Sequence, residues 1–207
     1  MKISLSDAGK RFNRDWIFRH LSFNFESPNS YAITGPNGSG KSTLLQVIAG
    51  AMDLSEGKIQ WHRDEIKIEE GKTYEQIAIC APYLEVVEEM TALEFLKFHS
   101  EFKPFLSSLD IKTILSKVGL EQAARKQIRY YSSGMKQRIK LAQAIFSDTP
   151  VVLLDEPCTN LDENGYKLYY SLIEEFCSVR TIIVSSNEKA EYSFCREIID
   201  INSFKKF

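Results

Sequence analysis

The sequence has 207 residues, enough to bury a core of its own without disulfide or metal staples. Its 43% hydrophobic and 26% charged content is that of a globular chain, and a formal net charge of −2 gives no overall attraction to nucleic acid or anionic membrane. No apolar run approaches the roughly 18 residues a membrane-spanning helix needs, and the opening Met1–Leu5 carries no apolar signal segment, so the expected location is cytoplasmic.

The first third reads as strands. Trp16 to Phe25 alternates in part, with Ile17, Arg19, Leu21, Phe23 and Phe25 on one face of a half-buried strand. The Ser27-Pro28-Asn29-Ser30 cluster makes a turn, and Tyr31-Ala32-Ile33-Thr34 suits a short buried strand. A glycine-rich loop leads into a helix over Lys41–Ala51, with Leu44, Leu45, Ile48 and Ala49 on its apolar side. Strands follow at Gly57–Trp61 and Gln76–Ala81. From Thr91 to Ile145 the pattern turns helical: Thr91 and Glu94 form a capping box, Asp110 caps a helix that Gly119 ends, and Ser132–Phe146 places Met135, Ile139, Ala142 and Ile145 at helical spacing. Strands return at Val151–Leu154, Thr181–Val184 and Glu197–Ile201, with a helix over Leu161–Cys177. Alternating β and α elements around a helical insertion predict an α/β fold with a mostly parallel sheet.

Cys80, Cys158, Cys177 and Cys195 show neither a Cys-x-x-Cys pair nor zinc-ligand spacing, and read as reduced thiols that act mostly as small buried apolar residues. His20, His62 and His99 read as structural or surface residues.

Two motifs carry chemistry. Gly35-Pro36-Asn37-Gly38-Ser39-Gly40-Lys41-Ser42, extended by Thr43, satisfies G-x-x-x-x-G-K-[ST] between a strand and an apolar helix. The glycines let backbone N–H groups turn around phosphate oxygens, and the helix N-terminus faces the same anion. Lys41 then reaches the β- and γ-phosphates of ATP, and the Ser42 hydroxyl ligates Mg²⁺. The second motif is Val151-Val152-Leu153-Leu154-Asp155-Glu156, a buried strand ending in two carboxylates. Ligands of open α/β sheets bind at the carboxyl ends of strands. Asp155 is placed to hold Mg²⁺, directly or through water, and Glu156 to act as general base for water attacking the γ-phosphate.

Further segments narrow the family. Tyr131-Ser132-Ser133-Gly134-Met135-Lys136-Gln137-Arg138 resembles the signature of ABC (ATP-binding cassette) ATPases, usually L-S-G-G-Q followed by a basic helix. Thr159-Asn160-Leu161-Asp162 resembles their D-loop, and the wording of the phosphate loop is typical of them. The resemblance covers essentially the whole chain. It implies a P-loop NTPase core with an N-terminal antiparallel β part and a helical subdomain, near residues 84–147, inserted into a single domain over 1–207. It implies ATP and Mg²⁺ as cofactors, Phe12 stacked on adenine, and head-to-tail pairing with a second copy or a similar subunit. In that pair Ser132, Gly134 and the start of the following helix contact the γ-phosphate in trans. A separate transmembrane permease is the other implied partner, with the cassette peripheral on the inner face of the membrane and no nucleic acid involved.

The sequence departs from the family at three places. Ser133 and Met135 replace a glycine and an amide in the signature. The glutamine usual after the strand near Ala81 is missing, and Pro82 or Tyr83 takes its place. The histidine usual after Thr181–Val184 is replaced by Asn187, a neutral donor that cannot carry positive charge, which predicts slow hydrolysis. The aromatics of Tyr83–Phe105 (Tyr83, Phe95, Phe98, Phe102, Phe105) are expected to serve mostly their own core, with the rest forming a docking surface. The basic residues Arg125, Lys126, Arg129, Lys136, Arg138 and Lys140 read mostly as a solvated helix face. The favoured reading is the energy-coupling subunit of a transporter; the alternatives are a soluble non-transport ABC ATPase and a weakly hydrolysing nucleotide-dependent regulator.

Overall fold

A computed structural model describes residues 1–205. Its frame is a five-stranded parallel sheet in the order β6-β7-β8-β3-β9, made by Ile77–Cys80, Val151–Asp155, Thr181–Ser185, Ser30–Thr34 and Glu197–Asp200. All residues of β7 and β8 are buried, as expected for strands covered on both faces. Side chains of a strand alternate between its faces, and β7 divides accordingly. Val152 and Leu154 enter one core, and Val151 and Leu153 the other.

The first core is formed with α2 (Ala92–Phe102), α3 (Ile111–Lys117), α4 (Ser133–Ile145) and α5 (Glu163–Phe176). The second lies against α1 (Lys41–Ile48) and an antiparallel sheet of order β2-β1-β4-β5, made by Asp15–Glu26, Lys2–Phe12, Glu56–Arg63 and Ile66–Ile68. α6 (Lys189–Tyr192) follows β8. Helices α2 to α4 fall between β6 and β7 in the chain.

Local chemistry sets the helix starts. The Thr91 side chain accepts from Glu94 N while Glu94 accepts from Thr91 N, and Asp110 Oδ1 accepts from Thr113 N at 2.7 Å. Gly119, at φ +67°, follows α3 as the sequence predicts. α1 stops at Ile48, short of the expected Ala51, and Gly50 takes φ +70° just beyond it.

The strand over Trp16–Phe25 keeps its place but changes phase. Asp7 and His20 both have positive φ, the β1–β2 register slips between Ala8↔Leu21 and Lys10↔Phe18, and Phe18 is fully buried. The bulge turns Phe18 into the core beside Leu21 and leaves Arg19 outside. There Arg19 makes a bidentate bond to Glu56 at 2.6 and 3.1 Å and stacks on Trp16 at 4.5 Å.

Three expectations are corrected or refined. Of the five aromatics expected mostly inside, Tyr83, Phe98 and Phe102 are 45%, 46% and 69% exposed: Tyr83 lies in the turn after β6, and the face of α2 that packs is the one bearing Ala92, Phe95 and Leu96 rather than Phe98 and Phe102. The basic face is not merely solvated: Lys136 pairs with Glu88, Arg129 with Glu89 at 3.5 Å, Arg138 with Asp162 at 3.8 Å, and Lys140 Nζ donates to Pro82 O at 3.1 Å. Cys80, Cys158 and Cys177 are buried, and burial pushes the Cys80 and Cys177 thiols up to about 12 and about 11; Cys195 is half-buried.

One buried cation ties the layers. Arg180, ahead of β8, is 6% exposed. Its guanidinium donates to Ile145 O at 2.5 Å, Ser147 O at 2.8 Å, Thr149 O at 2.7 Å and Thr149 Oγ1 at 2.9 Å. It thereby closes the C-terminal end of α4, where free carbonyls and the helix dipole favour a cation. Arg180→Met is expected to lower unfolding stability by about 2–4 kcal/mol, since it strands several buried acceptors. Urea denaturation checks this, and an unchanged midpoint would contradict it.

Candidate nucleotide site

The carboxyl ends of β3 and β7 carry the two motifs along one edge of the parallel sheet. From β3 the chain enters the phosphate loop, where Ser39 N donates to Pro36 O at 3.1 Å and Leu44 N to Gly40 O at 2.9 Å, starting α1. Gly40 has φ +102°, and a Cβ there would lie 2.1 Å from Ile17 Cγ2. Only glycine fits both demands. α1 has no side-chain cap and no acidic residue in its first turn, so its N–H groups are left to the concave loop. Lys41 is 5% exposed and folds back over that loop, donating to Gly35 O at 2.8 Å and Pro36 O at 3.2 Å. Pro36, Asn37 and Gly38 are exposed, Ser39 is buried, and Ser42 and Thr43 are half-buried on the first turn of α1.

Asp155 is the last residue of β7 and 2% exposed, and its Oδ1 has no hydrogen-bond partner. A buried carboxylate oxygen without a partner is costly, and a hard cation or its water is the natural complement of such an oxygen. The chemistry of this side chain therefore fits Mg²⁺.

Glu156 follows at φ +43°, an uncommon region for a residue with a side chain. Its N–H donates to Ser185 O at 2.9 Å, and its carbonyl accepts from Thr159 N at 3.2 Å and Thr159 Oγ1 at 2.9 Å. From the end of β8, exposed Asn187 reaches the phosphate loop: its Nδ2 donates to Asn37 Oδ1 at 3.3 Å.

Of the alternatives Pro82 and Tyr83, Tyr83 is partly exposed and its phenol lies within electrostatic reach of Asp155. Burial first and the Asp155 carboxylate second push its phenol above the ordinary value, while a hydrogen bond with Gln46 of α1 pulls it down. Pro82 instead offers its carbonyl to Lys140.

The remaining candidates have other neighbours. Phe12 ends β1 with its ring 46% exposed, and Lys10 Nζ lies 5.3 Å from the ring centroid. Ser132 is exposed and caps α4 by accepting from Met135 N at 3.2 Å. A Cβ on Gly134 would come within 3.1 Å of Asn160 O, so the start of α4 and the segment of residues 159–162 meet backbone to backbone here.

Two residues outside the motifs support the acidic pair. Gln137, 4% exposed, donates to Pro157 O at 2.7 Å, and Glu191, 3% exposed, accepts from Cys158 N at 2.7 Å. A polar residue on the inward face of α4 was the available signal for Gln137; Glu191 gave none.

Comparison with known proteins agrees on the class of molecule. The family model described as ABC transporter matches residues 18–159. An uncharacterized ABC transporter ATP-binding protein of Bacillus subtilis, YybJ, is 31% identical over 97% of this chain and 92% of its own length. The cytochrome c biogenesis ATP-binding export protein CcmA of Mannheimia succiniciproducens is 30% identical over 91% and 88%. Among solved structures, a putative ABC transporter ATP-binding protein from Pyrococcus furiosus superposes with a TM-score of 0.83 at 20% identity over the full length of both chains. A dimeric ATP-binding cassette, MJ0796, in a post-hydrolysis state bound to ADP and Pi superposes at 0.78 and 22% identity, covering 96% of this chain and 94% of the other.

The Gly40–Ile17 contact yields a sharp expectation. Gly40→Ala should weaken nucleotide binding by on the order of tenfold or more, because the loop must shift to admit the methyl group. Fluorescent-nucleotide titration measures this, and wild-type affinity in the variant would contradict the account.

Proposed function

Because the chain belongs to the ABC transporter family, as an ATP-binding subunit of an ATP-hydrolysing class, we propose that it hydrolyses Mg·ATP to power a transporter whose membrane-spanning part is a separate subunit. The observation that carries this reading is the meeting of three segments on one sheet edge: the phosphate loop, the acidic pair and Asn187, the last bonded to Asn37. Each residue then has a role its surroundings support.

Backbone N–H groups of Gly35–Thr43 and the start of α1 bind the phosphates. Lys41 exchanges the carbonyls of Gly35 and Pro36 for β- and γ-phosphate oxygens. Ser42 and Asp155 would hold Mg²⁺, whose positive charge would offset that of the phosphates. Glu156, half-buried beside Asp155, orients the attacking water and takes its proton. Asn187 donates to the γ-phosphate side. Phe12, exposed at the end of β1, offers a ring to the adenine.

Ser132 and Gly134 stand at an exposed helix start, suited to contact the γ-phosphate bound by a second copy; the dimeric cassette among the similar structures supports such a pairing. The permease docks on the exposed apolar surface of the inserted helical subdomain and the segment before it, where Tyr83, Leu84, Val87, Phe98 and Phe102 are presented. Among the described residues no helix is long and apolar enough to cross a membrane. A cassette of this kind works peripherally on the inner face of the cell membrane, and export relatives such as CcmA support that placement.

Phosphate release from Mg·ATP by the purified chain tests the reading. Wild-type turnover is expected, and Glu156→Gln should reduce it by about 10²-fold or more while still binding ATP. Equal turnover in the two proteins would remove Glu156 as the base. Asn187→His should raise turnover by up to about tenfold, because a charged donor replaces a neutral one near developing charge. An unchanged rate would show that the asparagine does not limit hydrolysis.

A further inference from the structure

Glu191 is a buried acid with no part in the chemistry so far assigned. It sits on α6, is 3% exposed, and its Oε1 accepts the Cys158 N–H at 2.7 Å. Its remaining influences are a hydrogen bond with Ser186 and the carboxylates of Glu188 and Glu156, with no cation among them, and burial is the largest cause raising its carboxyl above the ordinary range. Such an environment is costly for a carboxylate, and the bond it accepts from the Cys158 N–H offsets part of that cost.

The position of these bonds is informative. The loop after β7 needs to hold Glu156 at φ +43°. It is pinned from outside at Pro157 by Gln137 of α4 and at Cys158 by Glu191 of α6. α6 begins two residues after Asn187, and its own seat is fixed by Tyr169 OH donating to Glu191 O at 2.9 Å and by Glu188 N donating to Ser186 Oγ at 2.9 Å. One side chain therefore joins the backbone that carries Glu156 to the turn that carries Asn187.

We propose that Glu191 is a positioning residue, whose carboxylate oxygen holds the loop of residues 156–160 so that Glu156 and Asn187 face the same γ-phosphate. The role rests on the reading of Glu156 as base. It predicts that what matters at position 191 is an acceptor for Cys158 N–H. A glutamine offers one and an alanine does not.

The test compares the full-length wild type with Glu191→Gln, Glu191→Ala and Glu156→Gln by two measurements: Mg·ATP turnover beside ATP affinity, and amide hydrogen exchange of the peptide spanning 156–161. Glu191→Ala should lose turnover by about tenfold, the rate equivalent of one unpaired buried N–H, with ATP affinity within about twofold of wild type. In the same variant the 156–161 peptide should exchange about tenfold faster while peptides of β7 and β8 keep their protection. Glu191→Gln should stay within about threefold of wild type in both measurements.

The proposal is overturned if Glu191→Ala leaves exchange of that peptide unchanged, if affinity falls in step with turnover, or if Glu191→Gln falls as far as alanine. Glu156→Gln separates the two claims. Should it retain full turnover, the base assignment fails, while exchange at 156–161 still decides what Glu191 holds. Should the isolated chain release no phosphate, the exchange measurement decides alone.

Discussion

The double burial of β7 is the constraint on which the rest of the structure depends. Its five residues are all buried, and alternate side chains are claimed by two different cores. A strand gripped on both faces cannot slide by one residue without exchanging the two sets. Its end is therefore fixed, and with it the point where a sequence of pure hydrocarbon gives way to two carboxylates. The parallel register Leu153↔Ile183, Leu154↔Val184, Asp155↔Ser185 transfers that precision to β8, and the pairing of Ala32 with Val184 transfers it to β3. Three loops with different duties then begin at the same level. The site is the edge of a well-packed sheet before it is anything else.

Charge follows the same logic. Lys41 and Asp155 show it from opposite sides. Lys41 is satisfied by two carbonyls, and in the proposed site binding would exchange them for stronger, charge-assisted bonds to phosphate. Asp155 Oδ1 has no such internal substitute. The asymmetry makes the lysine indifferent to the state of the loop, and makes the aspartate depend on what binds.

How much of this was legible in the sequence depends on the distance over which each feature is specified. The phosphate loop and the caps at Thr91, Asp110 and Ser132 are local, and their side chains act within a few residues of themselves, so spacing alone locates them. Strand phase is less local. Ile17 packs on the core as its place in the alternation suggests, but the face assigned to Arg19 was wrong and buried Phe18 was missed, because the bulge at His20 depends on pairing with β1, and β1 itself alternates poorly around Asp7. The third level is tertiary: Gln137 meets Pro157 across 20 residues and Glu191 meets Cys158 across 33, so nothing in either neighbourhood announces the contact. The exposed ring of Phe98 belongs to this level too, since only the docking of α2 decides which of its aromatics is left outside.

The segment from Pro82 to Met90 shows how these local and distant ties combine. It bears Tyr83, Leu84 and Val87 on its surface, yet it is laced to the approach of α4. Ile128 N donates to Met90 O and Arg129 N to Glu88 O, both at 2.9 Å, Gln127 Nε2 donates to Glu89 O, Lys136 pairs with Glu88, and Lys140 Nζ reaches Pro82 O. Individually the exposed ion pairs contribute little. Together with the backbone bonds they make the segment and the first turns of α4 one body. α4 in turn holds Pro157 through Gln137, next to Glu156. The contacts thus run from the segment around Tyr83 to the N-terminal half of α4, where Ser132 faces outward and Gln137 holds Pro157 beside the acidic pair. That continuity of contacts links the surface around Tyr83 to the backbone beside Glu156.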